Sequence, residues 1–277
     1  MRIYRKYSPG NIILTLLSLA VAGVFLFPLM FGLFASFKAE SASFRQLVDW
    51  FKPPYTLANY MNIIGHSRVP LWTFNSFLIA IVSTLLGLAV SSLAAYPLAK
   101  MEFWGKRNIF FYFLMGLMVP GEATIVPLFI TVNGLFMIDT YAGMILPGIA
   151  GSMGLIIMVS FFKAVPKELI EAAQIDGARH LVIFSRIVIP LSRTVLVTNC
   201  ILAFIGSWNN YLWPLLCAMS EQMFTLPVGL PTFENTYAMD RVIPITGNMT
   251  ASIPAIIIFL IFEQQITQGI AMAGIKE

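Results

Sequence analysis

Six stretches of the chain are apolar at almost every position: 11–37, 72–99, 109–132, 141–162, 194–219 and 243–266. Each is apolar on every helical face, where a surface helix of a soluble protein would keep one polar side. About 20 mostly apolar residues suffice to carry a helix across the hydrocarbon layer of a bilayer. The pattern predicts six transmembrane helices in one domain spanning 1–277, an all-α membrane protein. The first run follows the basic start MRIYRK, which resembles that of a signal peptide. Its apolar run exceeds the about 7–15 residues of a signal-peptide core and further runs follow, so it reads as a retained first helix.

The connections carry the polar information. The longest, 38–71, contains WFKPPYTLANY, whose Pro53–Pro54 pair and aromatics predict an extended stretch and a short helix at the membrane surface. The connection 163–190 differs in kind: EAAQIDGARHLVIFSRIVIP places Glu171, Asp176, Arg179 and Arg186 between two apolar runs. Pro166 suits a first helical turn and Glu168 complements the helix dipole there. KELIEAAQI is built of good helix formers, and Gly177 can take the left-handed conformation that ends a helix. An apolar turn follows, with Leu181, Phe184, Ile187 and Val188 spaced to share a face, and Pro190 introduces the next run. The reading is helix, glycine turn, helix.

Composition agrees with the pattern. Charged residues make up 11% of the chain and apolar residues 58%, against about 25% charged in soluble domains. The placement of Lys and Arg sets the orientation. With the N-terminus inside, twelve of the seventeen Lys and Arg fall in inner segments, among them Arg2, Lys100, Lys106, Lys163, Lys167, Arg179 and Lys276. Five fall outside: Lys38, Arg45, Lys52, Arg68 and Arg241. The excess of Lys and Arg on the cytoplasmic side of membrane proteins predicts both termini and the 163–190 loop to be cytoplasmic. Cys200 and Cys217 share one apolar run; as a helix it holds them about 25 Å apart, beyond disulfide reach.

Several chemistries are absent. There is no G-x-x-x-x-G-K-[ST] phosphate loop and no H-E-x-x-H, and His66 and His180 are the only histidines. No catalytic residue and no metal site are expected, nor a nucleic-acid partner. Ser152 lacks the first glycine of a G-x-S-x-G elbow, because residue 150 is Ala; GIAGSMG reads instead as close helix packing by small residues.

EAAQIDGA followed by FSRIVIP resembles the EAA signature of permease subunits of bacterial ABC importers, with Glu171-Ala172-Ala173, Gly177, Ile187, Ile189 and Pro190 in the matching positions. VPKELIEAAQIDGA, FIGSWNNYLWPLL, FTLPVGL and QGIAMAGIKE extend the likeness to the carbohydrate, oligosaccharide and glycerol-phosphate subfamily, most of all to its maltose-type second permease. Ile189, Arg193 and Asn210 depart from the residues usual there. The resemblance implies a multi-pass protein of the bacterial plasma membrane. Its loop would be a coupling helix seated on a separate ATPase, with Glu171, Ala172, Ala173, Asp176, Gly177 and Arg179 carrying the contact and Gly274 to Glu277 as a second touching point. It implies as partners a second, homologous permease, two ATPase subunits, an extracytoplasmic solute-binding protein and the surrounding membrane lipid. ATP and Mg²⁺ would be bound by the ATPase, and the substrate would be a sugar or oligosaccharide or, as the alternative within the family, a glycerol phosphate.

Polar residues inside the apolar runs are the remaining candidates. Arg193 and Glu221 bracket the fifth run, so SWNNYLW sits near its middle. Asn209 and Asn210 there need partners in the bundle interior; they serve either as hydrogen-bonding links between helices or, with Trp208, as lining for a sugar path. Glu122, between Pro120 and Pro127, either caps a helix broken at Gly121 or acts in the path or its gate. Arg193 reaches toward the cytoplasmic surface. The competing class is a secondary transporter driven by an ion gradient, which needs ionisable groups at mid-membrane where this chain offers mainly Asn. A scaffold subunit is the third possibility.

Overall fold

The computed structural model describes residues 9–39, 47–236 and 242–274. Arg2, Arg5, Lys6, Arg45, Arg241 and Lys276 of the charge argument lie outside the described residues, as do Ile275 to Glu277 of the C-terminal candidate. The described residues form helices and no strand. In chain order the helices are α1 (Pro9–Ser36), α2 (Ala58–His66), α3 (Val69–Lys100), α4 (Lys106–Gly116), α5 (Gly121–Gly134), α6 (Tyr141–Ile145) and α7 (Ser152–Ala164). They continue as α8 (Lys167–Ile175), α9 (His180–Ile183), α10 (Ile189–Leu191), α11 (Arg193–Trp208), α12 (Leu212–Cys217), α13 (Leu226–Thr236) and α14 (Val242–Gly274).

The apolar runs became two kinds of helix. By length and composition α1 and α3 can each cross a bilayer unbroken. The third run is split between α4 and α5, which meet at 100°. Pro120 stands just before α5, as the expected break requires, whereas Pro127 is accommodated inside α5. The fourth run bends by 44° between Gly148 and Ser152. The fifth is not the continuous helix its composition suggests: α11 ends at Trp208 and α12 starts at Leu212. A further bend of 80° lies ahead of α11, between Leu191 and Arg193. The sixth falls within α14.

Contacts divide the chain into two compact units, Met1–Val69 with Leu230–Ile253, and Pro70–Gly229 with Pro254–Glu277. In the first, the last carbonyls of α1 find partners that the sequence scatters widely. Asn59 Nδ2 donates to the Ser36 and Lys38 carbonyls at 3.2 and 2.6 Å, and Thr246 Oγ1 to Ser36 at 3.1 Å. These satisfy a buried helix end that would otherwise cost free energy. Phe31 and Phe34 pack on Trp50, Phe51 and Tyr55 from the 47–55 connection. Lys38, counted above as a loop charge, is 3% exposed; its ammonium donates to the Lys52 carbonyl and lies 4.8 Å over the Tyr55 ring.

The second unit has two apolar centres. One joins the end of α3 (Tyr96, Leu98) to α7 (Leu155, Met158, Val159, Phe162), Ile170 of α8, Ile183, Val188 and Val195. The other joins Ile79 of α3 to Val132, Met144, Ile145, Trp213 and Cys217. In the second, α6 and α12 approach closely at Gly143. A Cβ there would fall inside the Met137 carbonyl, and the Gly143 carbonyl accepts from Trp213 Nε1 at 3.1 Å. Cys200 and Cys217 are both free thiols.

Candidate functional site

The charged connection forms a short helix whose inner side is anchored and whose outer side is bare. Pro166 occupies the position before the first turn of α8, one residue ahead of the helix, and Glu168 lies in that turn. Ile170 is buried in the α3–α7 core, and Ala173 packs against the same core. One residue on, the helix turns its other face outward. Glu171, Ala172, Ile175, Asp176, Gly177 and Arg179 are all exposed.

Gly177 ends the helix as expected, at φ +78°. Its N–H donates to the Gln174 carbonyl at 3.0 Å, and the Ala178 N–H reaches back to Ala173 at 2.9 Å. This pair of bonds is the Schellman arrangement, which satisfies the last carbonyls and stops the helix sharply. Ala173 and Ala178, both packed on the core, supply the apolar contact that accompanies it. Arg179 then opens the next helix, its carbonyl accepting from Val182 and Ile183 at 2.9 and 3.1 Å.

The apolar turn after Gly177 differs from the sequence expectation. Residues Phe184–Val188 form a π-helical turn. Its wider repeat brings Ile183 and Val188, five residues apart, to the same side, and both are fully buried. Leu181, assigned above to the inner face, is displaced outward and is 75% exposed. Pro190 explains the local geometry: it has no N–H to give to the Arg186 carbonyl and its ring clashes there, so the regular α ladder cannot run through.

The most exposed apolar side chains among the charges are Ile175, 86% exposed, and Leu181. Leu181 was expected on the buried side, and Ile175 was not singled out from the sequence. Ile175 was recoverable, because it lies five positions, about 140°, round the helix from the buried Ile170.

This surface is wired to the long helices. Lys100, at the end of α3, donates to the Lys163 carbonyl at 3.2 Å and to the Val165 carbonyl, closing the last turn of α7 just before α8. Tyr96 of α3 meets His180 of α9, hydroxyl to Nδ1, at 3.3 Å, and its ring packs on Phe184. Side chains in contact thus join α9 and the turn ahead of α8 to α3 and α7.

A second feature of the same unit is a cavity of about 500 Å³. Its polar lining comes from Ser83, Thr84 and Ser91 of α3, Asn199 and Ser207 of α11, and Asn210. Trp213 and several glycines, including Gly151 and Gly154 of the small-residue segment, complete it. Asn199 Nδ2 donates to the Gly154 carbonyl at 3.2 Å, the close helix approach those small residues permit. The Thr84 hydroxyl is buried without a partner among the described residues.

The candidates for a path therefore separate. Asn210 lines the cavity, and its Oδ1 also accepts from the Trp213 N–H at 3.4 Å, bridging the break between α11 and α12. Asn209 is exposed outside the lining. Trp208 is buried instead against Phe77 and Phe204, with ring centroids 4.8 and 5.9 Å away. Glu122 stands exposed in the first turn of α5 and is not part of the cavity lining; its charge favours the positive end of that helix.

The profile of the family "binding-protein-dependent transport system inner membrane component" matches residues 87–270. The arabinooligosaccharides transport system permease protein AraQ of Bacillus subtilis is 35% identical over 274 residues, covering 98% of each chain. The sulfoquinovosyl glycerol transport system permease protein SmoH of Agrobacterium fabrum is 31% identical, covering 91% of this chain and 89% of that one. The sn-glycerol-3-phosphate transport system permease protein UgpE of Escherichia coli K12 is 33% identical, covering 92% and 94%. Among solved structures, a bacterial ABC transporter that imports the acidic polysaccharide alginate shares the fold, with TM-score 0.81, 20% identity, and 94% of this chain covered.

Proposed function

Because the chain belongs to the family of binding-protein-dependent transport system inner membrane components, we propose that it is a permease subunit that moves a carbohydrate across the bacterial plasma membrane. Both of its termini and α8 lie in the cytoplasm. It pairs with a second, homologous permease, receives substrate from an extracytoplasmic solute-binding protein, and is driven by two separate ATPase subunits. ATP and Mg²⁺ belong to those subunits, and this chain does no covalent chemistry.

One observation carries the reading: an exposed helix, ended sharply at Gly177 and anchored through Ile170, in a chain without a phosphate loop. The energy for transport has to arrive by contact. Glu171, Ala172, Ile175, Asp176, Gly177, Arg179 and Leu181 form the contact face. Glu171 and Arg179 offer charged hydrogen bonds, Ala172 permits close approach, and Ile175 and Leu181 supply apolar anchors. A rigid helix on a fixed turn passes a displacement of the ATPase to α3 and α7, which line or flank the cavity.

The cavity is of ligand size, and its hydroxyl and amide lining with one indole suits a sugar. Hydroxyls bond to Ser, Thr and Asn, and the Trp213 ring offers an apolar edge. The relatives point to oligosaccharides, a sugar glycerol conjugate or glycerol phosphate. The test is uptake of labelled candidates in cells with and without the partner ATPase, alongside a ligand screen on the associated binding protein. Uptake of a carbohydrate that stops when the ATPase is deleted supports the proposal. Uptake that continues on an ion gradient alone refutes it.

A further inference from the structure

A second cavity of about 500 Å³ lies within the larger unit, where the end of α3, the start of α4 and the end of α7 converge. Glu102, Trp104, Lys106, Arg107, Asn108 and Lys163 are among its walls. Three cations face one carboxylate. That carboxylate is taken: Lys106 pairs with Glu102 at 2.9 Å and also donates to the Met101 carbonyl at 2.7 Å. The Lys106 hydrogen bond holds the Glu102 carboxyl below its ordinary range, and Lys167 adds to the effect, so the region is more basic than its own lining.

Arg107 and Lys163 are held differently. The guanidinium lies 5.5 Å over the Phe111 ring and the Lys163 ammonium 5.1 Å over the Phe110 ring. Ring faces orient a cation without consuming its hydrogen-bond donors, and among the described residues no carboxylate pairs with either. Next to them Trp104 is 97% exposed. Beyond the cavity α4 buries no residue, and it exposes Ile109, Phe111, Tyr112 and Met115.

From this juxtaposition we infer that the cavity binds the headgroup of an anionic glycerophospholipid, with the acyl chains lying along the exposed apolar side of α4. A bare anion would use the cations and leave the apolar track unexplained. A lipid uses both, and an exposed Trp at the edge of an apolar helix is the usual mark of a membrane–water interface. The cations belong to the side that the charge distribution assigns to the cytoplasm, whose leaflet carries the anionic lipids. The inference rests on the chain spanning a membrane and is independent of how transport is driven.

The test uses the assembled importer in detergent, titrated with phosphatidylglycerol or phosphatidylcholine and read by native mass spectrometry. Phosphatidylglycerol is expected to bind at least about tenfold more tightly, since each basic residue near an anionic surface contributes about a fivefold gain. Arg107→Gln and Lys163→Gln should each weaken phosphatidylglycerol binding about fivefold, and Arg186→Gln, outside the cavity, should not. Millimolar inorganic phosphate should fail to displace the lipid. Quenching of Trp104 by spin-labelled phosphatidylglycerol, scored against Trp104→Phe, should disappear in the Arg107→Gln and Lys163→Gln double variant. Equal binding of the two lipids, unchanged binding in both variants, displacement by phosphate, or an unquenched Trp104 would each overturn the inference. Resistance of the chain to alkaline extraction reports membrane insertion by itself, so failure of that premise is distinguishable from failure of the lipid site.

Discussion

Substitution at Gly177 tests the coupling reading through backbone geometry alone. The residue sits at φ +78°, and a Cβ built there meets no atom within 4 Å. Inside this chain the cost of a new side chain is therefore conformational, not steric. The left-handed region costs an ordinary L-residue about 1–2 kcal/mol, and less for Asn, whose side chain bonds locally. Ala at 177 should lower the equilibrium constant between the intact and the opened turn about fivefold, from a cost of about 1 kcal/mol. Val should do worse. Pro should be worst of all: its φ is fixed near −65°, and it removes the N–H that bonds to Gln174. The measurement is sugar uptake together with binding-protein-stimulated ATP hydrolysis, in proteoliposomes holding equal amounts of assembled importer. The expected order is Gly, Asn, Ala, Val, Pro, with assembly retained for the first three. Asn is larger than Ala, so if the ATPase surface simply rejects bulk at this position, Asn will fall below Ala. That order would refute the argument from the turn.

Two further outcomes follow from the same unit. Asp139 lies in the left-handed region at φ +58° and accepts through Oδ1 from the Met219 and Ser220 N–H groups at 2.8 and 3.0 Å and from the Ser220 hydroxyl at 3.1 Å. Burial alone would raise its pKa, but the bonds from Ser220 and Met219 outweigh that and hold it below the ordinary value. Its stabilising effect is therefore present above the unfolded carboxylate pKa, about 4, and is lost as pH falls through the depressed folded value. Thermal unfolding followed against pH should show Asp139→Asn less stable than the parent at neutral pH, with the gap closing in acid; a gap independent of pH would refute the assignment. In the cavity lined by Asn199 and Asn210, Asn210→Ala should raise the KM for uptake several-fold and Asn209→Ala should not, while Asn210→Asp keeps the acceptor that bonds to Trp213 and reports any purely structural loss. An effect of Asn209 equal to that of Asn210 would remove the cavity from the path.

The local features of this protein were legible in its residues, because they depend on neighbours in the chain. KELIEAAQI makes α8 by propensity, and Gly177 ends it because only glycine enters the left-handed region without penalty. Pro120 ahead of α5 and the apolar lengths of α1 and α3 belong to the same class. Five of the six residues expected in the coupling contact face outward together, and Ala173 turns inward because it lies three positions, and so nearly one helical turn, after Ile170.

What the tertiary structure decided are the matters that distant partners settle. The fifth apolar run is broken after Trp208, with Asn210 bonding across the gap to Trp213 and Trp213 bonding to Gly143 seventy residues away. The cavity is lined from several helices, and Asn199 meets Gly154 at its wall across two helices that are both apolar in composition. Lys38 is buried because a carbonyl and a ring from the 47–55 connection receive its ammonium. Leu181 faces out because a π turn shifts the register after it. Hydropathy gives an apolar residue no direction when every face of its helix is apolar. Direction comes from the packing of one helix on another, and that is a property of the folded chain.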